Sequence, residues 1–140
     1  MIFIFSVALP PNSFAKLTQK DSINKAEEFF KLAVEERNNN NLIKSRELAL
    51  EAIKLNNTWG EPYLLIGMLY VDSYKICQNE ALPRAVFCLA VDYFEKAKQL
   101  DILCAEKADA LINVYKNIFL HGKKYLMGLL PEANILLGVG

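Results

Sequence analysis

A chain of 140 residues, 53% hydrophobic and 23% charged, is long and apolar enough to bury a sizeable core, which excludes a disordered segment and points to one domain. Lys plus Arg and Asp plus Glu number 16 each, the pI is near 6.6, and no run of like charge occurs. Such a surface offers a phosphate backbone little attraction, so nucleic acid is not an expected partner.

Residues 1–15, MIFIFSVALPPNSFA, hold a largely apolar run from Ile2 to Leu9, two prolines, and a small-x-small end at Ser13, Phe14 and Ala15. These are the apolar region and cleavage site of a secretory signal, without its basic leader. Two readings stand: an export signal removed after Ala15, or an apolar segment packed on the domain. The run is too short to span a bilayer. A single helical domain is expected over 22–140.

Helical signals begin at Asp21, where Asp21 or Ser22 can cap, and 25–37 carries Ala26, Phe29, Phe30, Leu32 and Ala33 on a broad apolar face. The asparagines 38–41 predict a loop, because Asn tolerates the left-handed backbone that ends helices. A second helix is predicted over 42–55, with Leu48, Ala49, Ala52 and Leu55 facing inward and Asn56, Asn57 and Thr58 closing it.

The stretch from Gly60 to Leu103 is patterned most densely. Tyr63, Ile66, Gly67 and Tyr70 share one helical face, and Gly67 sits where a second backbone can come close. Ala90, Phe94 and Ala97 form a stripe of alternating small and large residues that lets a facing helix interdigitate. The connection is predicted around Gln78 to Leu82, with Pro83 in the first turn of the returning helix. Ala108, Leu111, Ile112 and Tyr115 repeat the spacing of Tyr63, Ile66, Gly67 and Tyr70. After Phe119 come Gly122, Gly128, Pro131, Gly138 and Gly140, so an irregular tail is expected over 123–140 rather than another helix.

An aromatic, an apolar residue before Gly, a Tyr, then Ala-x-x-x-Phe and a further Ala follow in the order of the tetratricopeptide repeat, which these residues resemble. The resemblance implies an all-α solenoid of antiparallel helix pairs, about two and a half repeats at 26–59, 60–104 and 105–122. Gly67 lies 34 residues after Ala33, the repeat length of that family, whereas Ala97 lies 45 after Ala52, so the second repeat carries 11 extra residues. Shared between two helices, the insertion is expected to lengthen each by a turn and a half and make the second hairpin project. PYLLIG, the insertion with Cys77, VFCLAVDYFEKAKQLD and the Gly-rich tail together resemble short exported tetratricopeptide proteins of Bacteroides-type bacteria. The likeness covers about 24–140; Ile102 departs from it where the repeat usually has proline.

Groups for catalysis are sparse. His121 is the sole histidine, no C-x-x-C links Cys77, Cys88 and Cys104, and no glycine loop precedes a helix to cradle phosphate. No cofactor, metal or catalytic residue is expected. The cysteines read as small buried hydrophobes or, in an exported chain, as a Cys77–Cys88 bridge across the hairpin with one thiol left over.

What the resemblance implies for binding is a concave groove lined by the inner face of each first helix: Glu27, Phe30, Val34 and Arg37; Glu61, Leu64, Met68, Val71 and Asp72; Asp109, Asn113 and Lys116. Repeats that grip a C-terminal carboxylate place Lys and Asn in the first set, where this chain has Phe30 and Val34. Phe30, Val34, Leu64, Met68 and Val71 are instead expected to form an apolar strip for a helix or extended peptide, Met68 being adaptable in shape. The expected function is a noncatalytic protein–protein interaction module of the bacterial envelope, without nucleic acid and not membrane-spanning. The competing expectation is a structural subunit whose groove is self-filled and whose tail or long hairpin forms homo-oligomers.

Overall fold

The computed structural model describes residues 11–76 and 83–116, with side chains described from 18 to 74 and from 86 to 116. All regular structure in these residues is helical: α1 (Pro11–Asn38), α2 (Leu42–Leu55), α3 (Gly60–Ile76), α4 (Pro83–Leu100), a 3-10 turn (Ile102–Cys104), and α5 over 105–116. α1 with α2, and α3 with α4, form two antiparallel hairpins, and α3 lies against α2. No described helix is long and apolar enough to cross a membrane.

The second helix spans Leu42–Leu55 as its pattern predicts, and Asn40 takes the left-handed backbone (φ 63°) that ends α1. α1, however, starts at Pro11 rather than near Asp21. The Ser22 hydroxyl donates to the Thr18 carbonyl one turn back, so it caps nothing. Nothing between Pro11 and Asn38 breaks a helix, and a proline in the first turn is where proline is tolerated. Leu32, expected on the inner face, is 41% exposed, while Ile66, 34 residues on, is fully buried. Ile66 packs on the first hairpin with Ala33 and Ala49, and no described element lies on the matching side of α1.

α3 is apolar on nearly every side, the signature of a helix enclosed by neighbours. Pro62 to Gly67 are all buried. Leu65, Ile66 and Leu69 pack with Ala33 and Ala49 of the first hairpin, and Tyr63, Leu64 and Val71 with Ala90, Phe94, Ala97, Cys104, Ala108 and Ile112. A Cβ added to Gly67 would lie 2.7 Å from Phe94 Cδ1 and 3.0 Å from the Ala90 carbonyl oxygen, so only glycine admits this ring.

The two hairpins are built on one plan. Ser45 and Ala90, Ala49 and Phe94, Ala52 and Ala97 are each 45 residues apart, and all six are fully buried. Relative to Ala33 and Gly67, α3 runs four residues further than α1; relative to Ser45 and Ala90, α4 starts four residues earlier than α2. Within the described residues the insertion therefore lengthens each helix by at least about one turn. The connection from α3 to α4 and the tail over 123–140 lie outside the described residues.

The junctions are held by specific polar contacts. Asp101 accepts from the Gly60 amide (2.9 Å) and from the Leu103 amide (3.0 Å), joining the start of α3 to the turn after α4. These bonds, the one from Gly60 foremost, hold the Asp101 carboxyl below its ordinary range. Cys104, buried beside it, has its thiol pushed up to about 11 by desolvation, then by the Asp101 charge. Cys104 thus behaves as the small hydrophobe expected, whereas Cys88 is an exposed free thiol, contrary to that expectation. Cys77 and His121 lie outside the described residues.

Candidate partner-binding face

The first helices are tied edge to edge. Arg37 Nε donates to Asp72 Oδ2 at 2.7 Å, linking α1 to α3 at side chains 30% and 17% exposed. Lys107 Nζ donates to Glu61 Oε2 at 2.8 Å, linking α5 to α3. Lys98 on α4 reaches Asp109 on α5 at 2.6 Å, and the Asp109 carboxylate holds the Lys98 ammonium above its usual range. α1, α3 and α5 therefore lie in register as neighbouring helices.

On that face the expected strip divides. Leu64 and Val71 are only 2% and 5% exposed and are sealed in the core with Ala108 and Ile112. Their expected role as open groove positions is corrected: α5 packs over the side of α3 that carries them. Phe30 is half-buried and meets Trp59 edge-on, with centroids 4.8 Å apart. Val34 and Met68 are half-buried, each packed at the margin of a core cluster. Arg37 and Asp72 occupy each other, while Asn113 and Lys116 are exposed near the end of the described α5. What reaches the surface is thus a shallow line of Val34 and Met68 beside polar and cationic groups, not a continuous apolar groove.

Sequence reasoning missed Trp59, whose partner is 29 residues away, and the bridge from Glu61 to Lys107. The latter had a signal, since Glu61 and Lys107 sit at the starts of helices 45 residues apart in plan. Also missed was a small pocket at the α2–α3 seam, lined by Leu42, Ile43, Arg46, Leu69, Tyr70 and Ser73. Among the described residues no group of three His, Cys, Asp or Glu side chains is placed to hold a metal ion.

Comparison with protein-family models, with curated proteins and with solved structures gave no match to this chain.

Proposed function

We propose that this chain is a noncatalytic interaction module of the tetratricopeptide type, which receives a peptide or helix of another protein along the face of α1, α3 and α5. The observation that supports it is the register of those three helices, fixed by Arg37–Asp72 and Glu61–Lys107, with 34- and 45-residue offsets that superpose their small and large buried positions. The partner would set apolar side chains against Val34 and Met68 and a carboxylate against Lys116, so it is an amphipathic acidic segment rather than a fully apolar one.

Affinity capture from an envelope extract tests this reading. Met68→Glu and Lys116→Glu should each weaken capture at least tenfold while the melting temperature moves little, since both side chains meet solvent. Leu64→Glu should instead unfold the chain, because it places a charge in the core. Capture by both surface variants equal to the parent's would remove this face as the site.

The same reading places the protein in the envelope. Among the residues whose side chains are described, buried positions begin at Ala26 and 18–21 are exposed, which is compatible with a mature chain that starts at Lys16. Expressed with an export pathway, the mature chain should have Lys16 at its N-terminus by intact mass. Recovery with Met1 retained, in the cytoplasmic fraction, would refute export.

A further inference from the structure

We propose that copies of this chain associate head to tail, the Ile102–Leu103 turn of one copy seating in the α2–α3 seam of the next. Ile102 and Leu103 are 83% and 90% exposed, the barest large apolar side chains among the described residues. Their turn is nonetheless held firmly. Asp101 accepts from the Leu103 amide at 3.0 Å, the Cys104 amide donates to the Asp101 carbonyl at 3.0 Å, and Cys104 anchors the turn in the core. Two apolar side chains held out by a fixed backbone form a knob that loses little freedom on binding.

The seam supplies a matching socket. The insertion lengthens α3 at its C-terminal end, beside the start of α2, and there Leu42 and Ile43 of α2 face Leu69 and Tyr70 of α3. The cavity holds about 180 Å³, and Ile43 on its wall is 81% exposed. That volume is below the roughly 300 Å³ at which small-molecule sites begin, and suits one or two aliphatic side chains.

Charge points to the same pairing. Arg46 stands at the socket with its guanidinium 5.7 Å from the Tyr70 ring centroid, and makes no ion pair among the described residues. Glu106, exposed in the first turn of α5 just past the knob, likewise has no ion pair among them. Seating the knob brings an acid to a base. The knob lies at the Gly60 end of α3, bound there through Asp101, and the socket lies at Leu69 to Ser73, about 14 to 20 Å along the helix. One copy cannot fill its own socket, so the contact is between different patches on two copies and can propagate. A contact this small lies below the roughly 1,200 Å² of stable complexes, so the association is expected to be weak and to appear only at high concentration.

Sedimentation velocity of the full chain between about 10 µM and about 1 mM tests the contact. The parent should sediment faster as concentration rises. Leu103→Asp and Ile43→Asp should each stay monomeric throughout, with parental circular dichroism, since both side chains are bare in the monomer. An equimolar mixture of these two variants retains one intact knob and one intact socket, so it should form dimers that grow no further. Arg46→Glu should weaken association at least tenfold, and adding Glu106→Arg in the same chain should restore it. A parent that is monomeric at about 1 mM, either single variant that still associates, or a mixture that fails to pair would overturn the proposal. None of these outcomes bears on the face of α1, α3 and α5.

Discussion

The two hairpins solve the same close approach in opposite ways. In the second, the first helix gives up its side chain at Gly67, and the space is taken by the Phe94 ring. In the first, Ala33 keeps its methyl group, the position of Phe94 is held by Ala49, and Ser45 donates to the Ala33 carbonyl at 2.6 Å. One interface is a ring in a slot, the other small residues clasped by a buried hydrogen bond. The two interfaces close around different side-chain sets, so a change that suits one hairpin should harm the other.

The largest effect should come from emptying the slot. Phe94→Ala removes a fully buried ring and is expected to destabilise by about 3 to 5 kcal/mol in urea melts. A loss below about 1 kcal/mol would mean that the second hairpin does not pivot on this ring.

Gly67→Ala comes next. In an open helix the change would stabilise by roughly 1 kcal/mol, yet here the new methyl meets Phe94 and the Ala90 backbone, and a net loss of about 1 to 3 kcal/mol is expected. Adding Phe94→Leu should recover part of it, since a smaller side chain frees the slot. The reciprocal change, Ala33→Gly, should cost only the helix term of about 1 kcal/mol. Equal losses at positions 33 and 67 would erase the contrast.

The junctions differ as well, and pH separates them. Asp101 joins α3 to the turn after α4, whereas 45 residues earlier stands Asn56, which accepts from the Thr58 hydroxyl and cannot titrate. The folded state lowers the Asp101 pKa, so its stabilisation is present above the unfolded value near 3.9 and is lost as pH falls through the folded value. Asp101→Asn should lower stability at neutral pH and flatten the acid limb of the stability curve below about pH 4. An unchanged acid limb would show that this staple contributes nothing.

The smallest effect is expected at Ser45. Ser45→Ala removes one buried hydroxyl bond and should cost about 1 kcal/mol, seen as a shift in urea midpoint with the slope unchanged.

Much of this was legible because it is local or periodic. The bounds of α2, Pro83 at the start of α4, and the approach of Gly67 to Ala90 follow from residue types at helical spacing. Ser45 escaped notice because a polar residue reads as surface until its 45-residue offset from Ala90 is seen. The N-terminal half of α1 was missed because capping residues at 21 and 22 mark where a helix can start, not where it must. The candidate face was legible in membership and not in exposure. Whether Leu64 and Val71 are groove or core depends on where α5 crosses α3, a tertiary fact that the spacing within either helix does not contain.

The central claim is that another protein lies along α1, α3 and α5, and a photoreactive residue tests it most directly. Placed at Asn113, exposed on α5, it should yield on irradiation in cells a discrete adduct with a different protein. Placed at Glu47, exposed on α2, it should yield no adduct with a different protein. Adducts with a different protein from position 47 alone, or the same such adduct from both positions, would contradict the account.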